Sequence, residues 1–288
     1  MINIVFFGSS EYSVIILKKI LEIKSFNLLA VVSKADKPVG RDQTITPNPV
    51  ALFARQNNLK LLQPDEFDDD LRSTIYDLNP DLGLVVAYGP PYFTQELIDL
   101  PKFKVVNIHP SPLPKYRGAT PGPWQIINGE TKSAVTFFQI DALPDHGPII
   151  SQIPFEIDPQ ENSVSFYQKA FAIATDNLEN IINSYVSNPG LITIQDHSQK
   201  TYFPKFTKDS AKIDWSWDIK KIERLIRALN PWPIAWTYVK NQQDQTFKMK
   251  IISSQITNGD LIPKQVQIEG KKNTFWDEVK KHYQIIKQ

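Results

Sequence analysis

Short apolar runs alternate with segments of helical periodicity over the first part of the chain. Six apolar runs predict strands at residues 2–7, 27–33, 59–62, 82–87, 103–108 and 134–140. Three segments between them predict helices at 11–23, 49–56 and 64–78. Apolar strands separated by amphipathic helices favour a parallel sheet that is covered on both faces. The pattern therefore predicts a doubly wound α/β domain.

The remainder of the chain has a different pattern. A long helix is predicted over 163–186, followed by a polar stretch of weak periodicity and a helix over 219–229. Short strands are predicted at 236–239, 247–253 and 265–268, an arrangement that favours a small β-barrel. We therefore predict a first domain over 1–188, a linker over 189–212 and a small β domain over 213–288.

The composition excludes several kinds of site. The 288 residues include no cysteine, which rules out disulfides, thiolate metal sites and thiol catalysis. The four histidines show no HxxxH spacing, so we expect no metal. No run of about 18 apolar residues predicts a membrane span, and the N-terminal residues lack the pattern of a secretory signal. We therefore expect a cytoplasmic protein without membrane partners.

The charges are unevenly distributed along the chain. Residues 205–288 contain 16 Lys and Arg against 9 Asp and Glu, whereas the other residues contain 16 against 22. A basic C-terminal part on an acidic body is suited to a polyanionic partner. A solvated surface with a chance excess of lysine explains the same count, and the charge alone does not decide between the two.

Ligands of doubly wound sheets bind beyond the carboxyl ends of the strands, so the loops after positions 7, 87, 108 and 140 are the places to look for chemistry. The first of these loops, 8–10, has neither the GxGxxG nor the GKS/GKT pattern of nucleotide-binding loops. A dinucleotide site is therefore disfavoured here, and the alternative is a tight turn from a strand into a helix.

The loop after position 108, together with the end of the strand before it, contains the residues best suited to take part in a reaction. Asn107 and His109 are two residues apart, so they point to the same side of the strand at its carboxyl end. An amide can stabilise an oxyanion and an imidazole can accept or relay a proton, which suits acyl transfer. The alternative is a polar strand end whose groups cap neighbouring loops.

Two carboxylates, Asp141 and Asp145, follow the sixth predicted strand, and we expect them at the same edge of the sheet. A carboxylate beside His109 would orient the imidazole and favour its charged form. The alternative for Asp141 is the capping of a turn. No Ser nucleophile elbow accompanies these residues, so hydrolysis through an acyl-serine is disfavoured.

The order of these residues resembles the 10-formyltetrahydrofolate-dependent formyltransferases. The matching motifs are NxHxSxLPxxRG, here from Asn107 to Gly118, and DxxxDxG, here from Asp141 to Gly147. The resemblance implies a Rossmann-like formyltransferase domain with 10-formyltetrahydrofolate as its co-substrate. The catalytic residues that it implies are Asn107, His109 and Asp145. The donor-binding residues that it implies are Tyr88, Gly89, Ser111, Pro112, Leu113, Pro114 and Asp141. Pro112 stands where the family usually has Leu.

Within this family, the chain is similar to members that formylate the α-amino group of methionyl-tRNA for translation initiation. The opening FFGSSEYSV, the basic loop 37–41 and the segments 195–205 and 227–233 carry this likeness over nearly the whole chain. It implies initiator methionyl-tRNA as the partner, and we expect a monomer. The tRNA contacts that it implies are Lys37, Arg41, Lys205 and Arg227. It also implies an OB-like C-terminal barrel, which we expect to be shortened because only 256–262 separates two of its segments.

Other functions stay open. A formyltransferase acting on an amino sugar nucleotide would share the catalytic trio and would suit a shortened barrel, but it would not need the basic loop or the basic C-terminal part. A glycinamide ribonucleotide formyltransferase would have little need of residues 205–288. A non-catalytic RNA-binding protein can retain the fold, but binding alone does not require Asn107, His109 and Asp145.

Overall fold

The computed structural model describes residues 1–40 and 42–287, so the tRNA contact predicted at Arg41 lies outside the described residues. The chain forms two compact units. The first comprises Met1–Arg117, Ala134–Phe155 and Gln168–Tyr202. The second comprises Gly118–Ser133, Glu156–Tyr167 and the described chain from Phe203 onward. The domain boundaries predicted at 188 and 212 stay a prediction.

Strands and helices alternate along the chain. Up to residue 109 they are β1 (Ile2–Gly8), α1 (Glu11–Glu22), β2 (Phe26–Val32), β3 (Lys37–Val39), β4 (Thr44–Thr46), α2 (Pro49–Gln56), β5 (Leu61–Leu62), α3 (Asp69–Leu78), β6 (Leu82–Val86), α4 (Gln95–Asp99) and β7 (Val105–His109). They continue as α5 (Pro121–Asn128), β8 (Lys132–Gln139), β9 (Ile149–Glu156), α6 (Ser163–Ser187), a 3-10 turn (His197–Gln199), α7 (Ile219–Ala228), β10 (Trp236–Asn241), β11 (Thr246–Thr257), β12 (Asp260–Ile268), β13 (Thr274–Phe275), α8 (Trp276–Val279) and β14 (Tyr283–Ile286). The sequence prediction did not include β3, β4, α4, α5, β9, the 3-10 turn, β13, α8 or β14.

The first unit is built on a sheet that, within the described residues, has the strand order β5-β2-β1-β6-β7-β8-β9. β1 pairs in parallel with β2 on one side and with β6 on the other. The chain therefore adds β2 and β5 on one side of β1 and then crosses over to add β6 on the other side. This reversal is the switch point at which doubly wound sheets bind ligands. The predicted doubly wound fold is confirmed.

The direction of β8 differs from the prediction. We expected the sixth strand to join a parallel sheet, but β8 pairs antiparallel with β7, and His109 lies opposite Thr136. Phe137 and Phe138 are both fully buried, and a strand covered on both faces has the same apolar pattern in either direction. As a result, β8 ends beside Val106, at the opposite end of β7 from the predicted loop position.

Local side-chain caps determine where the early helices begin. The helix predicted from residue 64 begins at Asp69, because Asp68 accepts a 2.9 Å hydrogen bond from the Leu71 amide. Ser10 and Ser13 cap α1 reciprocally. In the parts 1–40 and 42–287, no helix has the length and apolar character needed to cross a membrane.

The second unit contains an antiparallel sheet with the order β13-β12-β11-β10-β14 among its described residues. We predicted short strands separated by 256–262. Instead, these residues form the tip of a long hairpin, in which Ile256 pairs with Leu261. The turn is Asn258-Gly259, and both residues have the positive φ that a tight hairpin of this kind requires. The predicted small C-terminal β domain is confirmed as an antiparallel sheet with longer strands than expected, and its closure into an OB-like barrel stays a prediction.

Candidate active site

The first candidate residues lie on β7, next to the switch point. Gly8 at the end of β1 pairs with Val86 at the end of β6, and β7 continues the same edge to His109. Ile108 is buried in the core, so its neighbours Asn107 and His109 point to the opposite face. The strand therefore presents an amide and an imidazole side by side.

His109 is held between two oxygen acceptors. Its Nε2 lies 3.0 Å from the Tyr116 carbonyl oxygen, and its Nδ1 lies 3.7 Å from Asp145 Oδ1. The His109 and Asp145 side chains are only 7% and 14% exposed. The two oxygens flank the ring on its two nitrogen-bearing sides, and catalytic contacts are often long in the absence of substrate.

The loop that carries Asp145 is tightly constrained. Asp145 adopts a φ of 50°, in the left-handed region that few residues other than glycine, Asn and Asp occupy. Gly147 packs so closely on the Gln139 carbonyl that a Cβ there would collide with it. This geometry brings Asp145 back to His109, although the loop starts at the other end of β7.

Asp141 has local partners. Its Oδ1 accepts a 3.0 Å hydrogen bond from the Leu143 amide, and its Oδ2 lies 2.6 Å from His146 Nδ1. The ring of His146 in turn stacks on His197 at a centroid distance of 3.9 Å. Turn capping, the alternative that the sequence left open for Asp141, is thus present in the structure. The donor contact predicted at Asp141 stays a prediction.

The proline-rich loop after β7 is held by hydrogen bonds of its buried residues. Ser111 is fully buried and donates from Oγ to the Lys115 carbonyl at 2.9 Å. Leu113 is also buried, and its carbonyl accepts from Gln152 at 3.1 Å. Pro112 and Pro114 are half-buried and keep part of their rings accessible. Within the predicted donor loop, the two prolines are therefore the side chains available to a flat ligand.

Tyr88 and Gly89 occupy different environments. The Tyr88 ring is buried in an aromatic cluster with Phe7, Phe67 and Phe93. Its hydroxyl has no hydrogen-bond partner among the described residues, and burial raises the pKa of Tyr88 to about 12. Gly89 is exposed with a φ of 74°. A donor molecule at this loop would therefore meet the backbone rather than the Tyr88 hydroxyl.

Lys34 lies against the same loop and is absent from the sequence prediction. Its ammonium is 3.9 Å from the centre of the Tyr88 ring and donates a hydrogen bond to the Pro90 carbonyl. Burial, together with the nearby charge of Lys37, lowers the pKa of Lys34 to about 8. This edge of the sheet thus holds a cation of reduced basicity.

The residues predicted to contact tRNA differ in how they present their charge. Lys37 in β3 and Lys205 are exposed. Arg227 is half-buried, pairs with Glu223 Oε1 at 3.1 Å and also donates to the Glu161 carbonyl. Its charge is therefore balanced within the second unit. The tRNA contacts at Lys37, Lys205 and Arg227 stay predictions.

Sequence reasoning also missed Gln195. This residue falls in the predicted linker, yet it is buried and bonded to the loop of Asp145. In the sequence it lies in the polar stretch, at the start of the segment 195–205 that resembles the family, and no periodicity marks it as buried. Across 1–40 and 42–287, no group of three or more His, Asp or Glu residues is placed to hold a metal ion.

Asn107 and His109 share one face of β7 beside the switch point of a doubly wound sheet, and Asp145 faces His109, an arrangement that suits an α/β enzyme of group transfer. Residues 2–180 match the formyl transferase family, and residues 205–271 match the C-terminal domain of formyl transferases. The chain belongs to the formyl transferase family. It is a one-carbon transferase, and the donor in this family is formyl-tetrahydrofolate.

Known proteins resemble the chain over most of its length. It is 34% identical to the methionyl-tRNA formyltransferase of Thermodesulfovibrio yellowstonii over 263 residues, which cover 91% of this chain and 82% of that protein. Its fold is similar to that of methionyl-tRNA formyltransferase from Clostridium thermocellum, with a TM-score of 0.62, 17% identity and coverage of 93% and 99%. A sugar 3N-formyl transferase solved with dTDP and 5-N-formyl-THF has a TM-score of 0.65, 24% identity and coverage of 94% and 99%. At these identities the two structures show the fold alone.

Proposed function

We propose that the protein transfers the formyl group of 10-formyltetrahydrofolate to the α-amino group of initiator methionyl-tRNA. The observation that carries the chemistry is the pairing of His109 with Asp145 beside Asn107. The 34% identity to a methionyl-tRNA formyltransferase supports the acceptor. We place the reaction in the cytoplasm and expect the protein to act as a monomer.

The residues at the edge of the sheet fit the donor. Pro112 and Pro114 offer apolar surface to a flat ring, and Gly89, which has no side chain, leaves its backbone open to a ligand. When bound, the donor supplies a formyl carbon that an amine can attack. An α-amino group has a pKa of about 8, so part of the acceptor is already neutral near pH 7.

The chain's own residues then stabilise charge and move a proton. Asn107 donates from its amide to the oxygen that becomes negative as the amine attacks. His109, as an imidazolium, stabilises the same oxygen. Asp145 keeps that ring oriented and charged, and it helps to pass the proton of the attacking amine toward the departing nitrogen of the donor.

The acceptor is tested by competition. The protein is supplied with 10-formyltetrahydrofolate and either charged initiator methionyl-tRNA or a panel of dTDP-linked amino sugars. We expect formylation of the tRNA and none of the sugars. Formylation of a sugar alone would retain the trio and overturn the acceptor. Transfer to neither would contradict the proposed reaction.

One face of the β10–β11 ladder leads to a prediction about tRNA binding. Lys248 and Lys250 lie opposite Tyr238 and Trp236 in the β10–β11 ladder, and the Lys248 ammonium is 3.6 Å from the centre of the Trp236 ring. Replacing both lysines with Ala should raise the KM for methionyl-tRNA and leave kcat unchanged. The slope of log KM against log salt should fall by about one for each phosphate that the variant no longer neutralises.

Two controls accompany this measurement. Arg at both positions retains the charge and should keep the salt slope. The double variant Lys24→Ala/Lys102→Ala removes two exposed lysines that precede β2 and β7, at the amino ends of those strands, and it should leave KM unchanged. An unaltered KM and slope for the Lys248→Ala/Lys250→Ala protein would contradict a role for this face.

A further inference from the structure

Gln195 joins the catalytic loop to a buried arginine. Its side chain is buried, with the residue only 4% exposed. Its Oε1 accepts a 2.6 Å hydrogen bond from Arg117 Nη2. Its Nε2 donates to two carbonyls, that of Asp145 at 3.1 Å and that of Gly147 at 2.7 Å. Both polar ends of the amide are therefore engaged, one by the arginine and one by the loop.

We propose that Gln195, oriented by Arg117, is the positioning residue that aims the Asp145 carboxylate at His109. The role of this contact in turnover rests on the proposed function. Gln195 touches neither the ring of His109 nor the Asp145 carboxylate in these hydrogen bonds, and it acts through the backbone on either side of position 146.

The loop needs such a restraint because its backbone is unfavourable. The positive φ of Asp145 persists only where the surroundings hold it. The backbone of Gly147 lies so close to the Gln139 carbonyl that it leaves no space for a Cβ, and this contact restricts the loop on that side. Gln195 holds the carbonyls that flank position 146, and it thereby holds the backbone from which the Asp145 side chain projects toward His109. A misplacement of about 1 Å in a catalytic group can cost about 100-fold in rate.

Arg117 holds the side-chain oxygen of Gln195. It is buried, and its backbone amide donates to the Thr201 carbonyl at 2.9 Å. Its Nη2 also contacts His197 Nδ1 at 2.8 Å, which requires that nitrogen to act as an acceptor. Burial lowers the pKa of Arg117, whereas the carboxylates of Asp145 and Asp141 raise it. The guanidinium is thus fixed in place next to the loop that it supports.

The decisive variant is Gln195→Glu. Glutamate has the same shape and still accepts from Arg117, but it has no N–H for the carbonyls of Asp145 and Gly147. We expect kcat to fall by about 10- to 100-fold, with the KM for donor and acceptor unchanged within about two-fold. Amide hydrogen exchange in residues 142–147 should become faster. Gln195→Met, which retains the volume without polar atoms, should show the same two changes.

The matched control is Gln125→Ala. Gln125 is a fully buried glutamine of the second unit that accepts from Ser133 and donates to the Pro121 carbonyl. Its replacement should lower the unfolding temperature about as much as the Gln195 replacements do. It should leave kcat and the amide hydrogen exchange of residues 142–147 unchanged. Folded Gln195 variants with wild-type kcat, or with unchanged loop exchange, would overturn the proposal. A wild-type protein inactive on methionyl-tRNA would contradict the proposed function instead, and the exchange comparison would still decide the role of Gln195.

Discussion

Replacing Asp145 with Asn is expected to lower kcat by about 10²- to 10⁴-fold, the range that a positioned acid–base group contributes. Asn retains the size of the side chain but removes the charge that faces His109 Nδ1 at 3.7 Å. Asn also tolerates the left-handed backbone at this position, so the change adds no strain to the loop. The loss should therefore report on charge alone. It is measured as kcat and as the Kd of the folate donor by titration.

The donor Kd should remain within about two-fold of wild type, because the Asp145 carboxylate is assigned to His109 and the proton rather than to ground-state binding. Asp176→Asn, at an exposed position on α6, serves as the matched control and should have wild-type kcat. Wild-type turnover in a folded Asp145→Asn protein would remove Asp145 from the mechanism.

Replacing Asn107 with Ala should lower kcat by about 10²- to 10³-fold, which is the usual effect of losing one oxyanion donor. The amide is the neighbour of His109 on the same face of β7, and it lies between Val85 of β6 and Phe138 of β8. Its side chain is half-buried, so the change should alter stability little compared with turnover. Single-turnover rates and thermal unfolding measured on the same samples separate the two effects.

The control for Asn107 lies at the far end of the same sheet. Asn27, at the amino end of β2, donates to Asn3 Oδ1 at 2.8 Å and is exposed. Asn27→Ala removes an amide hydrogen bond without touching the candidate site, and it should retain wild-type kcat. If Asn27→Ala and Asn107→Ala were equally active, the oxyanion role would be contradicted.

The central sheet was predictable because its strands are short, apolar and separated by helices with clear caps. β1, β2, β6 and β7 appear where the pattern placed them, and the reversal between β1 and β6 follows from that alternation. The direction of β8 was not predictable, since Phe137 and Phe138 are buried on both faces and give no directional signal. Asn258-Gly259 at the hairpin tip is typical of a tight turn. The sequence prediction nevertheless treated 256–262 as a connection in a shortened barrel rather than as the tip of a hairpin.

The candidate site was predictable where residues are close in sequence. Asn107 and His109 share a face because of the two-residue period of a strand, and the structure shows this. The meeting of His109 with Asp145 depends on the loop that follows β8. The loop position predicted a carboxylate at this edge from a parallel β8, which is wrong, and only the resemblance to formyltransferases singled out Asp145. The burial of Tyr88 could not be predicted, because a tyrosine that follows a strand is equally compatible with a core position and with a ligand contact.

Gln195 marks the limit of sequence reasoning in this chain. It is separated from Asp145 by 50 positions and from Arg117 by 78, so its contacts exist only in the folded unit. Its neighbours are polar and lack periodicity, which favours a linker. A buried side-chain hydrogen bond to a strained loop leaves no local pattern that could reveal it.

The most direct test of the proposed reaction is single-turnover transfer from a donor labelled in its formyl carbon, with enzyme in excess over methionyl-tRNA. We expect the wild-type protein to move the label to the methionine amino group. We also expect Asp145→Asn to bind the same donor but to transfer the label more slowly by about 10²- to 10⁴-fold. Label that never reaches the tRNA, or that reaches it equally fast in both proteins, would contradict the proposed reaction and its catalytic trio.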